Sequence, residues 1–575
     1  MFNKIISKSK KIFTGPQTSV LSAASVIMIM VVASRVLGLV RQRTLAYFFA
    51  PDDLSLFFAA FRLPDTIFEV LVFGTFASAF IPVFTKTIKK GNSKAWRTAS
   101  IVVNIGLVTF AILAAISALF ADNIYTVFAP GFDANQRGQI VKVARILFTA
   151  QAFFVVSYVL TGVLESLRRF LVPALAPLFY NLGIIVGTIL LYPKLGLLAP
   201  AVGVFLGAAL HFLIQLPLAL KLGFRFSSAI RPNKQVKEIG KLAAPRVVEL
   251  TFLQISKTVE LFLSSLITTA SYTYYTFGNT LQLLPVGLFG ISIAKAALPT
   301  LASQADSPPK FYKTLLSSLY QIVFLVVPVA TILIVLRIPI VRLVYGTEIF
   351  SWEATVQTGK VVSAFAVGIV FQSASALLAR SFYARSDTKT PVIVSIISIL
   401  VIISANFILI SGFSLPVWGL AASFSLGSFF QTISLYYLIN KRLDERISLK
   451  TLIPFVKSLV AALSAGGVMF FLLKIFDRSV WVKRLSFLGS IESTKVIAFE
   501  RFVLDTRYTA NLLILTIIVS IVGVLIYLGA SVILRNQEVY TFVGLVRRIL
   551  VKRKVAPIPE EEQEPVAPTP TDTQT

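Results

Sequence analysis

About fourteen apolar runs follow one another along the 575-residue chain, each near the ~20 residues needed to cross a hydrocarbon core. Nothing else in the sequence constrains the fold so tightly. Backbone N–H and C=O groups find no water in lipid and must pair within their own segment, so runs of this length and number dictate helices. Their approximate centres lie near Ile29, Thr75, Thr109, Phe154, Ile184, Phe205, Ser256, Leu288, Val326, Ile369, Ile399, Leu426, Leu463 and Val522. The fold class expected is an all-α polytopic membrane protein. Composition agrees: 56% of residues are hydrophobic and 14% charged, too little charge to cover a soluble surface.

The loops between the runs set topology. Lys4, Lys8, Lys10 and Lys11 precede the first run, and Asp52 and Asp53 follow it. The next loop is basic again, with Lys86, Lys89, Lys90, Lys94 and Arg97. The alternation continues through Arg168 and Arg169, through 221–242, and through Arg380, Arg385 and Lys389 to Lys441 and Arg442. Positive clusters on every second loop place those loops in the cytoplasm, together with both termini. The net charge of +28 is spread over these short clusters rather than gathered on one face, so it does not point to nucleic acid. The sequence divides into a basic cytoplasmic tail (1–19), a first lobe of six spans (20–221), a basic linker (222–242) and a second lobe of six spans (243–440). A last pair of spans (441–534) and a tail (535–575), basic and then rich in Glu and Pro, complete it. Residues 475–508 carry charge on the expected outer side and read as an amphipathic interfacial segment. Two facing lobes are a common transporter plan, with substrate between them.

Several chemistries are excluded. With no cysteine there is no disulfide, thiol or cysteine metal site. His211 is the sole histidine and reads as a satisfied or interfacial residue, because no second histidine can complete a common site. No Walker A motif is present, so hydrolysis of ATP within this chain is not expected. The glycines of FGNT and GLFG read as helix-packing positions. No catalytic constellation stands out, and the chain does not read as an enzyme or as the holder of a cofactor.

The informative residues are charges within spans, which cost about 2.5 to 3.5 kcal/mol at a helix centre and so face a cavity or a partner. In ASRVLGLVRQR, Arg35 and Arg41 are six positions apart, roughly 120° around a helix. Gly38 between them could bend the helix and turn both arginines inward, and snorkelling to the interface is the alternative. In FRLPDTIFE, Arg62, Asp65 and Glu69 share one face, which either neutralises itself or serves function. Pro64 and Asp65 look like a helix start. Lys257 and Glu260 form either a buried ion pair or a cation-binding carboxylate tuned by its neighbour. Lys295 has no local counter-ion and is a candidate anion contact.

ASRVLGLVR, FFAAFRLPD with FGTFASAFIPVF, APGF at 129–132, LPVGLFGISIAKAALPTLA and FYARSDTKTPV at 382–392 together resemble the MurJ (MviN) family. Those proteins are lipid II flippases of the multidrug/oligosaccharidyl-lipid/polysaccharide (MOP) exporter superfamily. The match runs in order from about residue 20 to 440. The resemblance implies fourteen spans, two lobes that switch between inward-open and outward-open states, and a cationic central cavity. It also implies a lipid-tail groove formed by the last two spans. Arg35, Arg41 and Arg62 then correspond to basic positions that serve an anionic head group, within a motif that includes Ser34, Gly38 and Pro64. A guanidinium suits pyrophosphate because its fork donates two parallel hydrogen bonds. Glu260 and Asn406 correspond to polar positions of a sodium site. The departures are Gln42 and Ser55 where acidic residues are usual, Phe68 and Thr280 where cavity arginines are usual, and Phe73 in place of a glutamate. Either Lys295, Lys257 or Arg62 compensates for the two arginines, or the substrate differs.

The function expected is export of lipid II, the lipid-linked peptidoglycan precursor, across the bacterial cytoplasmic membrane by alternating access, with sodium or proton coupling. The ligands and partners expected are that lipid, membrane lipids and cell-wall synthesis proteins. The alternatives are a flippase for another polyprenyl-pyrophosphate glycan, a drug exporter, or a non-transporting scaffold that has kept the fold.

Overall fold

The computed structural model describes residues 20–73, 79–444, 449–476 and 509–550. The basic 1–19 tail, residues 477–508 of the charged loop and the tail beyond 550 lie outside the described residues. Every described element is helical. The first half comprises α1 (Val20–Phe48), α2 (Pro51–Phe68), α3 (Ile81–Ile88), α4 (Asn92–Leu119), α5 (Ala121–Phe128), α6 (Ala134–Ser166), α7 (Leu171–Leu195), α8 (Leu198–Leu213) and α9 (Leu216–Lys221). The second comprises α10 (Lys234–Ile267), α11 (Ser271–Pro285), α12 (Ser292–Ser303), α13 (Pro308–Val335), α14 (Arg337–Tyr345), α15 (Trp352–Ala384), α16 (Lys389–Phe407) and α17 (Trp418–Leu443). Helices α18 (Leu449–Phe476), α19 (Thr509–Ile533) and α20 (Gln537–Leu550) follow. Helix α20 falls where the sequence suggested only a tail, and Phe542 on it packs 6.3 Å from Phe324 of α13.

Eleven helices among the described residues are long and apolar enough to cross a membrane, against about fourteen expected from the sequence. The expected centres at Ile29 and Leu426 do fall on helices, α1 and α17. The first of these helices carries Arg35, Arg41 and Arg43, and the second has Lys441 and Arg442 in its last turn. The centre at Thr75 lies outside the described residues.

Pro64 and Asp65 do not start a helix. Helix α2 begins at Pro51, with Asp52 and Asp53 in its first turn, and Pro64 lies inside it. A proline at the first helical position costs nothing, since that N–H has no intrahelical acceptor, and the two aspartates suit the positive end of the helix dipole. The interior proline is followed by a π-helical turn, Glu69–Phe73, a local re-registering by which helices within a bundle absorb a missing N–H. Two further π turns, Val286–Ile291 and Ile408–Gly412, link α11 to α12 and extend α16.

Two glycine motifs have packing explanations. A side chain at Gly131, in APGF, would place its Cβ 1.9 Å from the carbonyl oxygen of Ser265 on α10. At Gly290, in GLFG, a Cβ would lie 2.6 Å from the Ser373 hydroxyl on α15. Both are close approaches to a neighbouring helix rather than anion cradles, the first from a turn and the second from a π turn.

The linker between α9 and α10 lies against α4, where the Asn104 amide donates to the carbonyls of Ser227 (2.7 Å) and Ala229 (2.9 Å). This defines a linker end of the bundle. Contacts between the starts of α2 and α11, and between the end of α1 and α14, define the opposite end.

The FYARSDTKTPV segment joins α15 to α16. Asp387 accepts the N–H groups of Lys389 and Thr390 at 3.0 Å each and the Thr390 hydroxyl at 2.6 Å. It also pairs with Arg442 at 2.6 Å. Burial alone would raise this carboxyl's pKa. The hydrogen bonds from Thr390, the Arg442 charge and the Lys389 N–H outweigh burial and hold it below the ordinary carboxylate value. Asp387→Ala is expected to lower stability by about 1 kcal/mol, the usual worth of a lost helix-start acceptor. Because the folded pKa is depressed, the contribution is complete above the unfolded carboxylate range and is lost as pH falls through the folded value. Thermal unfolding in detergent at pH 7 and at pH 3 checks this: the difference between parent and variant shrinks at the lower pH.

Candidate functional site

Helix α1 is continuous through Gly38, where an added Cβ would meet nothing within 4 Å. Ser34, Arg35, Gly38, Arg41 and Gln42 of this helix line a cavity of about 540 Å³, together with Glu165 at the end of α6, Tyr180 and Asn181 of α7 and Thr280 of α11. A second compartment of about 320 Å³ shares Arg41, Gln42, Tyr180 and Thr280 and continues to Arg62, Asp65 and Tyr272. Arg41 therefore stands where the two compartments meet. Neither Arg35 nor Arg41 makes a hydrogen bond or ion pair to a described residue, and the Arg41 Nε is buried without a partner. An unpaired, partly buried guanidinium lining a cavity is suited to receive an anion, because part of the desolvation cost falls on the protein before binding.

Arg62 is bound differently. It is 7% exposed and donates to the Gln254 side chain on α10, which in turn donates to Glu69. Lys257 completes the chain by pairing with Glu69 at 3.1 Å. Asp65 accepts from Gln151 of α6 at 2.5 Å. The face bearing Arg62, Asp65 and Glu69 thus does not neutralise itself; each group reaches across to another helix. Nor do Lys257 and Glu260 form the ion pair that their spacing suggested. Lys257 turns to Glu69, and Glu260 is left with Ser256 at 3.4 Å and Tyr275. Lys295 is exposed on α12 and lines neither compartment. Asn406 is fully buried, and both polar atoms of its side chain lack a partner. His211 is satisfied, 2.6 Å from the Ser157 hydroxyl.

One end of the cavity is sealed. The Gln42 amide donates to Thr280 at 2.8 Å, and the Tyr345 hydroxyl donates to Gln42 at 2.9 Å. Arg43 donates to the Leu343 carbonyl at 2.7 Å, Thr347 to that of Ala46 at 2.7 Å, and Ser55 lies 2.9 Å from Thr273. The rings of Phe277 and Tyr345 stack at 4.1 Å. All of these lie at the end opposite the linker. The departures at Gln42 and Thr280 therefore touch each other: a neutral hydrogen bond stands where the resemblance implies an acid facing an arginine. Phe68 is buried among aromatic rings, 6.0 Å from Phe154 and 5.4 Å from Tyr158. Sequence reasoning passed over Glu165 and Tyr180, which sit at helix positions where a carboxylate or an aromatic carries no motif. It also passed over the part of Gln42 in the seal, for which its place beside Arg41 was the only signal.

A multi-pass bundle around an arginine-bearing cavity sealed at one end has the build of a membrane transporter, and solved structures agree in fold. The chain superposes on a lipid II flippase MurJ in an inward closed conformation with a TM-score of 0.71 at 23% identity, covering 92% of this chain and 99% of that one. It also superposes on an inward-facing multidrug resistance MATE family transporter of the MOP superfamily, with a TM-score of 0.59 at 14% identity, over 72% of this chain and 94% of the other. The chain belongs to the MurJ family, whose description is lipid II flippase MurJ and whose pattern matches residues 44–491. Among relatives, a probable lipid II flippase MurJ of Haemophilus influenzae is 29% identical over 77% of this chain and 90% of its own length. The lipid II flippase MurJ of Burkholderia cenocepacia is 26% identical over 77% of this chain and 88% of its own length.

Proposed function

We propose that this protein moves lipid II from the cytoplasmic to the outer leaflet of the bacterial cytoplasmic membrane by alternating access. The observation that carries the reading is Arg41: an unpaired guanidinium at the junction of two compartments, in a cavity closed at one end. With the positive-inside orientation, the sealed end is extracytoplasmic and the Arg35 compartment lies toward the cytoplasm. A pyrophosphate entering from that side meets Arg35 first and Arg41 deeper in. Arg62 is committed to Gln254 and acts on the charge of the site rather than as a free donor. The cavity lining sets three arginines against Glu165 and Asp65, so it stays net positive without the two arginines replaced by Phe68 and Thr280.

Release outside requires a reset. Arg62, Asp65, Glu69, Lys257 and Glu260 lie on neighbouring helices as two cations and three carboxylates. Fully ionised, this set holds one uncompensated negative charge, which is costly away from water. A proton or a sodium ion would cancel it. Sodium prefers oxygen ligands, as hard cations do. Glu260 lies on α10 and the unpartnered Asn406 on α16, two helices in contact through the Phe262 and Phe407 rings at 6.5 Å. These two side chains would supply one carboxylate and one neutral oxygen.

Depletion of the protein tests the reading. Lipid II is expected to accumulate in the cytoplasmic leaflet, measured by its accessibility to an externally added probe or modifying enzyme. An unchanged leaflet distribution with growth intact would favour a scaffold that has kept the fold.

A further inference from the structure

A second cavity lies away from the arginine site, open to the side of the bundle. Its volume is about 870 Å³. One wall is the α13–α14 junction, with Ile334 and Arg337, and the other two walls are stripes on α15 and α17. The α15 stripe runs Lys360, Ser363, Ala364, Val367, Phe371, which is helical spacing along one face. The α17 stripe runs from Trp418 to Phe429. The two helices run in parallel, tied by the Ser425 hydroxyl to the Ala364 carbonyl at 2.6 Å and by Thr432 to that of Phe371 at 2.7 Å. The groove is therefore polar at the end opposite the linker and apolar toward the middle of the bundle. Its floor is the edge-to-face pair of Phe371 and Phe429 at 5.0 Å. From Lys360 to Phe371 it is about 16 Å deep at 1.5 Å per residue.

The polar end carries two cations and no carboxylate. Arg337 spends one nitrogen on the Ile334 carbonyl at 2.9 Å. Neither Arg337 nor Lys360 has an ion pair among the described residues. Both line the groove, and a Cβ built on Gly359, the residue before Lys360, would lie 3.5 Å from the Arg337 side-chain stem. Trp418 stands at the same level, the depth at which tryptophan marks a membrane interface. The Ser363 hydroxyl in the wall is buried and unpartnered.

We propose that this groove is a binding site for an anionic phospholipid in the leaflet at the end opposite the linker. Its phosphate sits between Arg337 and Lys360, and one acyl chain runs along Val367 and Leu426 to the phenylalanine floor. Charge complementarity selects the head group, and the depth and lining of the groove select a hydrocarbon chain rather than a soluble anion. The site does not depend on what the central cavity carries. A lipid seated there bridges the α13–α14 junction to α15 and α17. Since α14 supplies Tyr345 to the seal, the lipid would bias whether that end stays closed.

Native mass spectrometry of the full-length protein, loaded with phosphatidylglycerol or phosphatidylcholine, tests the site. The parent is expected to retain phosphatidylglycerol in preference. R337Q/K360Q should lower that retention about 25-fold, from two interfacial cations each worth about a factor of five, and leave phosphatidylcholine unaffected. V367W, which fills the groove and keeps both cations, should weaken phosphatidylglycerol as well. If the double variant does not fold, K360Q alone, at an exposed residue, should show about a fivefold loss. Equal retention of the two lipids by the parent, or unchanged phosphatidylglycerol in the charge variants, would overturn the proposal. So would competition by inorganic phosphate as strong as that by lipid, which would mean an anion site without a chain. Complete displacement by a polyprenyl pyrophosphate would overturn it too, by assigning the groove to the transported lipid.

Discussion

Arg41→Ala is expected to abolish lipid transport while the protein is still made and inserted. Losing two charge-assisted hydrogen bonds, at about 1.5–3 kcal/mol each, removes roughly two to four orders of magnitude of head-group affinity. Little structural cost should accompany the change, because Arg41 makes no hydrogen bond or ion pair to a described residue and its removal strands no partner. That separates it from Arg62, whose loss would leave Gln254 and Glu69 to rearrange. Arg41→Lys should rescue poorly, since an ammonium keeps the charge but not the planar fork. Complementation of a depleted strain, with membrane levels measured in parallel, reads the result. Full growth on the alanine variant would remove Arg41 as the anchor for pyrophosphate.

Glu260→Gln has the second-largest expected effect. The substitution deletes the excess negative charge of the partly buried cluster without changing side-chain shape. It should leave the fold intact, because Lys257 keeps Glu69 as its partner. Transport should become insensitive to a sodium or pH gradient. The membrane potential supplies about 2.3 kcal/mol per charge per 100 mV, enough to bias an equilibrium of a few kcal/mol between two states. A variant that responds to imposed gradients as the parent does would make Glu260 a structural residue. Asn406→Ala distinguishes the ions: it should weaken sodium dependence if the amide oxygen is a ligand, and leave proton dependence untouched.

The helical class of this fold was legible because apolar run length acts locally: each segment must satisfy its own backbone. The arginines of α1 were legible for a related reason, since a guanidinium inside an apolar run has few places to go. What failed was pairing. Spacing along one helix placed Lys257 beside Glu260 and grouped Arg62 with Asp65 and Glu69. Yet each group had a better partner on a neighbouring helix, in Glu69, Gln254 and Gln151. Side-chain spacing within a helix says which groups can meet but nothing of what approaches from outside it. Pro64 misled in the same way. Its local signal is that of a helix start, and only the surrounding bundle with the π turn after it lets the helix run through.

The seal at the far end of the cavity joins neutral groups, and its one cation, Arg43, bonds to backbone carbonyls. None of its hydrogen bonds is an ion pair. Each is worth about 1 kcal/mol net, and each can be exchanged for water as the end parts. Such a latch has no carboxylate or imidazole and no charge pair to be screened. Its release should therefore proceed at much the same rate in dilute or concentrated salt and across the range of external acidity that a cell surface meets. The environment outside would then govern how fast product is taken away, while the timing of the outward swing would be decided from within.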